Sequence, residues 1–257
     1  MSDNMDMPHD QDVQPIKTNV KTVSVPKGKT VLFNVTEAGP PKKLNVLVYG
    51  VPGVGKTVFA ATFPKPLFVD IDLGLMSVAH KKVAYFRPVN HADLRSTMTV
   101  EVLYNFETIV VDSLTELHSF FLQEILRNAN RDQAQLQDWG MAGERIVQFI
   151  MQLRKLPQHV VLICEERADK DEETGQISLG PALPGQLFKN VGRYVDLFFH
   201  MKMAVKDGKK GRYLITEPVG MAQGKDRSWA LDKMEEPDFK VLWTKIAARS
   251  DTNLRVG

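Results

Sequence analysis

The stretch Gly50-Val51-Pro52-Gly53-Val54-Gly55-Lys56-Thr57 constrains this chain more than any other, because it satisfies the full G-x-x-x-x-G-K-[ST] pattern of a phosphate-binding P-loop. Three glycines let the backbone fold tightly enough to turn several N–H groups onto phosphate oxygens. Lys56 then reaches the β- and γ-phosphates of a nucleotide, and Thr57 ligates Mg²⁺. The flanks agree. Residues 44–49 form a short apolar run suited to a buried parallel strand, and Val58-Phe59-Ala60-Ala61 opens an apolar helix. Strand, glycine-rich turn and helix together aim a positive helix end at an anion. Gly50, Val51, Pro52, Gly53, Val54, Gly55, Lys56, Thr57 and Val58 are therefore the candidate nucleotide-binding residues, with ATP and Mg²⁺ as the expected ligands.

A chain of 257 residues with 43% hydrophobic content can bury one substantial core. Its 33 basic and 31 acidic residues leave a net charge of +2, so a nucleic-acid partner must be met by local patches, not by a global field. The single cysteine, Cys164, excludes an internal disulfide framework and a cysteine-built zinc site, and fits a reducing cytoplasm. It ends an apolar run and reads as a small core residue. No apolar run approaches the length that crosses a bilayer, and the start of the chain is acidic and polar where a signal peptide is basic and then apolar. The expectation is a soluble cytoplasmic protein with no membrane partner.

Residues 1–16 carry Asp3, Asp6, Asp10 and Asp12 without periodicity and read as a disordered acidic tail. Residues 17–40 are rich in β-branched side chains broken at Pro26-Lys27-Gly28, which predicts one or two strands before Pro40-Pro41 marks a boundary. A core over 41–235 follows, and a C-terminal helix and tail over 236–257. Within the core, strands are predicted around 67–72, 83–86, 108–112, 159–164 and 194–200, alternating with helical segments as a doubly wound parallel sheet requires. Helices are expected over about 114–126, 141–156 and 237–248. The charged run from Glu165 to Glu173 reads as a solvated loop. A hairpin turning over Asp207-Gly208 carries Lys202, Lys206, Lys209, Lys210 and Arg212 against one acid, Asp207.

Thr108-Ile109-Val110-Val111-Asp112-Ser113 delivers an acid to the carboxyl end of a strand and has the form of a Walker B motif, whose aspartate holds Mg²⁺ through its water shell. Thr57 and Asp112 are the metal-side candidates. Activating the attacking water needs a further carboxylate or amide. Ser113, not a glutamate, follows Asp112, so that acid must come from the neighbouring strand end, which offers Asp70 and Asp72.

A strand after the P-loop helix that ends in an acid resembles the RecA superfamily, where a catalytic glutamate occupies that place; Asp72 is the match here. The order of elements from Leu44 to about Leu231 looks like RadA and its core-only relatives. It includes the strand ending near Cys164, the Gly180-Pro181 element with Leu183, Val195-Asp196, the hairpin with Arg212, and Lys225-Asp226-Arg227. The resemblance is to phage-encoded, core-only RecA-like ATPases that act as single-strand annealing recombinases, the fourth Sak group. It implies a RecA-like P-loop NTPase core: α/β, with a mainly parallel central sheet flanked by helices and a C-terminal β-hairpin. Carried over, Lys225 and Arg227 are cations that complete the ATP site of a neighbouring protomer.

The reading that follows is an ATPase stimulated by single-stranded DNA, in which Lys56, Thr57 and Asp112 hold MgATP, Asp72 positions water, and Lys225 or Arg227 acts from the adjacent chain in a ring or filament. Single-stranded DNA is expected on Lys170, Lys202, Lys206, Lys209, Lys210 and Arg212. The acidic tail suits a partner such as a single-strand-binding protein. A helicase or branch-migration motor, a DNA-binding module gated by ATP without turnover, and a small-molecule kinase remain as alternatives.

Overall fold

A strand buried on both faces must be covered by helices on both sides, and the order of elements here supplies them. The computed structural model describes residues 19–24, 30–35, 41–96, 99, 103–170, 172 and 175–253. The chain divides into two units, Met1–Pro40 and Pro41–Gly257. In the first, β1 (Asn19–Ser24) and β2 (Thr30–Val35) pair antiparallel. The acidic tail expected over 1–16 lies outside the described residues.

In the second unit the described strands are β3 (Asn45–Gly50), β4 (Pro66–Asp70), β5 (Ala84–Phe86), β6 (Thr108–Asp112), β7 (His159–Lys170), β8 (Ile177–Pro181), β9 (Leu197–Lys206), β10 (Lys209–Ile215), β11 (Lys225–Asp226) and β12 (Met234–Glu235). They lie in the order β12-β10-β9-β3-β7-β6-β4-β5, with β11 on β9 and β8 on β7. The run from β9 through β5 is parallel, and the strands added at its margins are antiparallel. This mainly parallel sheet flanked by helices, with a C-terminal hairpin, β9–β10, is the α/β architecture expected.

The described helices are α1 (Lys56–Ala60), α2 (His91–Ser96), α3 (Leu114–Asn128), α4 (Leu136–Leu153), α5 (Gln186–Asn190) and α6 (Phe239–Asn253). Alternation along the strands sorts the core into two layers. Leu47 and Tyr49 of β3 join Val160, Leu162 and Cys164 of β7 under α3 and α4. Val46 and Val48 join Val161 and Ile163 on the other face, beneath α1 and α6. An aromatic cluster of Phe63, His159, Phe239 and Trp243, with ring centroids 4.7 to 6.0 Å apart, pins α6 to the sheet. That helix, set apart from the core by the sequence, buries Leu242 and Ile246 in it.

Several local expectations need correction. The charged run after Cys164 is not a loop at its start: β7 continues to Lys170 and pairs antiparallel with β8. A two-stranded ribbon has water on both faces, so a strand there tolerates continuous charge. The predicted strand at 194–200 and the first arm of the hairpin are one strand, β9. Lys225-Asp226, given no strand in the sequence reading, forms β11 against Leu197 and Phe198. The long helix begins at Leu136, where Asp138 closes a capping box with Gln135, and the last helix runs over Phe239–Asn253.

Candidate functional site

The P-loop follows β3, the central strand, whose neighbours are β7 and β9. Both neighbours run on past it. β7 pairs with β3 up to Glu165 opposite Gly50 and then pairs only with β8; β9 pairs with β3 up to His200 opposite Tyr49 and then only with β10. The loop therefore sits between two projecting ribbons. Gly50 is packed so closely on β9 that a Cβ would run into the carbonyl oxygen of Met201. Gly55 has φ 108°, a left-handed conformation that favours glycine, and a Cβ there would lie 3.1 Å from Cδ of Arg212. Arg212, expected on DNA, thus lies over the phosphate loop.

Val51, Pro52, Gly53 and Val58 are exposed, whereas Val54 and Lys56 are buried. The Lys56 ammonium donates to the carbonyls of Gly50 (2.8 Å) and Val51 (3.1 Å). Burial lowers its pKa, opposed by Glu165 first and then by Asp112 and Asp72. Thr57 Oγ1 donates to Asp112 Oδ2 at 2.8 Å, so the P-loop and the end of β6 meet as the two motifs require. Burial pushes the Asp112 carboxyl up to about 6, Thr57 opposes this, and the carboxylates of Asp72 and Asp70 add to it. A desolvated carboxylate among like charges, beside a threonine hydroxyl, fits a hard divalent cation. Among the described residues no three His, Cys, Asp or Glu side chains are grouped to hold a metal ion. Mg²⁺ would therefore take Thr57, Asp112 through water, and the nucleotide's phosphates as ligands, and it would neutralise phosphate charge.

The two acids at the end of β4 divide their work. Asp70 is fully buried and binds Arg87 Nε at 2.8 Å while accepting the Gly74 N–H at 3.2 Å. Asp72 accepts the Ser113 hydroxyl at 3.0 Å. Ser113 also accepts the Glu116 N–H as N-cap of α3, which accounts for a serine where other ATPases carry an acid. Desolvation of the Asp72 carboxyl, with Glu165 and Asp70 nearby, raises its pKa against the Ser113 hydrogen bond.

The model of an AAA domain family, AAA_24, matches residues 42–228. The chain belongs to this AAA domain family. No curated protein matches the chain. Among solved structures, a KaiC-like protein from Pyrococcus horikoshii OT3 is 17% identical over 69% of this chain and 79% of its own, with a TM-score of 0.44. The flagellar accessory protein FlaH from Methanocaldococcus jannaschii is 12% identical over 76% and 84%, with a TM-score of 0.36. The RadB recombinase is 17% identical over 73% and 93%, with a TM-score of 0.38.

The other cations expected on DNA or at a neighbouring ATP site fall in two places. Lys202, Lys206, Lys209 and Lys210 lie on the β9–β10 ribbon and Lys170 ends β7, so all five stand on the projecting ribbons. Lys209 and Lys210 are exposed, while Lys206 donates to the Met234 carbonyl at 2.7 Å. Lys225 and Arg227 sit at the other end of the sheet, level with Phe198 and Asp196. With Leu197 opposite Val46, that is on the order of 13 Å along the strands from Gly50. Lys225 donates to the carbonyls of Gly192 and Val195, and burial lowers its pKa to about 8. Arg227 pairs with Asp196 at 3.4 Å and keeps half of its side chain exposed. No helix among the described residues of the AAA domain is long and apolar enough to cross a membrane.

Proposed function

We propose that the chain is an ATPase, stimulated by single-stranded DNA, that works as a RecA-like oligomer in phage DNA recombination or strand annealing. The observation that carries the ATPase reading is the Thr57–Asp112 hydrogen bond at 2.8 Å, which joins the two motifs beside a buried Lys56. Lys56 and Thr57 grip the phosphates and Mg²⁺, and Asp72, just beyond β4, serves the attacking water.

Two further features support the finer reading. Lysines stand on the ribbons beside the P-loop, where a polyanion held by them would border the nucleotide. Lys225 and Arg227 lie too far along the sheet to serve their own loop, so they act on the site of an adjacent copy, which makes the contact head to tail. Arg227, exposed and weakly paired, is the cation free to reach across; Lys225 braces the segment that carries it.

The test is phosphate release with and without an oligo(dT) strand, beside a measurement of particle size. DNA-stimulated release from an oligomer is expected. Arg227→Ala should bind ATP and fail to turn it over, and mixing it with Lys56→Ala should restore part of the activity. Full activity in a diluted monomer, or no rescue at any mixing ratio, would refute the shared site.

A further inference from the structure

Glu165 has all the properties of a reacting group and no structural employment. Val161 and Ile163 face the α1 side of the sheet, and the next residue in that alternation is Glu165, just as Asp112 follows Val110 on β6. The parallel register sets Glu165 opposite Gly50, where the phosphate loop begins. Its backbone is fixed on both sides: the N–H donates to Thr115 Oγ1 at 3.1 Å and the C=O accepts the Ala182 N–H at 2.7 Å. The side chain is exposed. Among the described residues its carboxylate has no hydrogen-bond or ion-pair partner.

Three of the neighbouring acids are engaged, and Glu116, exposed at the start of α3, is not among the groups that act on Lys56. Asp112 holds Thr57, Asp70 holds Arg87, and Asp72 accepts the Ser113 hydroxyl. Of the carboxylates around Lys56, Glu165 exerts the strongest attraction on its ammonium, ahead of Asp112 and Asp72. Lys56 is the group that meets the γ-phosphate. A free carboxylate anchored by its backbone next to that lysine has the position and the freedom that orienting a water demands.

We propose that Glu165, at the end of the β3-paired part of β7, is the catalytic base that orients and deprotonates the attacking water, with Asp72 in a supporting role. The water oxygen forms a bond to the γ-phosphorus as the bond from that phosphorus to the β-phosphate bridging oxygen breaks. The bonding pair leaves with ADP, and the proton released by water passes to the Glu165 carboxylate and on to solvent. This assignment rests on the ATPase reading above.

The experiment compares the full chain with Glu165→Gln and Asp72→Asn. It measures fluorescent ATP binding with Mg²⁺, phosphate release with and without oligo(dT), and thermal melting. E165Q should melt with the wild type, hold nucleotide within about threefold, and lose on the order of 10²- to 10⁴-fold in phosphate release, while D72N loses less. Should E165Q fail to fold, Glu165→Asp decides, with turnover expected to fall while affinity stays. An E165Q protein hydrolysing within about threefold of the wild type, or D72N proving the slower of the two, would overturn the assignment and leave the ATPase reading standing. A wild-type chain that binds ATP and releases no phosphate would overturn both.

Discussion

Thr57 Oγ1 donates to Asp112 Oδ2 across 55 residues of sequence, and the bond joins the phosphate loop to the strand that ends beside it. Thr57→Ala and Asp112→Asn each remove a ligand of the expected Mg²⁺ shell. Each variant should lose on the order of 10- to 100-fold in ATP affinity with Mg²⁺ present, from about 1.5–3 kcal/mol of charge-assisted interaction. With EDTA the gap to wild type should close. Titration of a fluorescent ATP in both buffers checks this.

Gly50→Ala puts a methyl group against the Met201 carbonyl oxygen at the junction of β3 and β9. Both strands are core, so neither yields cheaply, and about 1–3 kcal/mol of stability should be lost. A fall in Tm by calorimetry reports it. A Gly50→Ala protein melting with the wild type would show that β9 moves aside.

His118 is buried, stacks under Trp139 with ring centroids 5.8 Å apart, and has its pKa lowered from 6.5 by desolvation, opposed by a backbone hydrogen bond to Trp139. The folded chain therefore takes up this proton later than the unfolded chain as pH falls. The contribution is whole above about pH 6.5 and is lost as pH drops through the folded value. His118→Phe keeps the stack and removes the proton site, so its loss of Tm between pH 7.5 and 5.5 should be smaller than that of the wild type.

The β9–β10 ribbon offers Lys206, Lys209 and Lys210 to a phosphate backbone. Neutralising all three should weaken oligo(dT) binding and flatten log K against log salt by about 2, near 0.7 for each phosphate of a single strand that is no longer neutralised. A slope unchanged from the wild type would remove this ribbon from the DNA interface.

The sequence is most transparent where a backbone shape demands particular residues. The three P-loop glycines, Lys56 and Thr57 announce the loop. The apolar run ending in Asp112 announces the strand that answers it, because burial on both faces leaves no polar residue until the strand emerges. Glu165 is hidden for the opposite reason. The charged positions after Cys164 read as solvent-exposed loop, and only the alternation Val161, Ile163, Glu165 hints that the strand continues. The strand survives because its partner beyond the sheet is β8 and not the core. Lys225-Asp226 is equally opaque, since a two-residue strand has no periodicity to read. The resemblance singles out Asp72 over Asp70, and the partners differ accordingly: Asp70 is held by Arg87, whereas Asp72 accepts only the Ser113 hydroxyl among the described residues.

Tyr49, the residue before the loop's first glycine, donates its hydroxyl to the Gln223 carbonyl at 2.6 Å. Gln223 stands two residues before Lys225, at the head of the segment whose arginine lies at the far end of the sheet from this nucleotide pocket. A single phenol thus ties the start of the phosphate loop to the segment that carries Lys225 and Arg227, so a shift of either end is felt at the other.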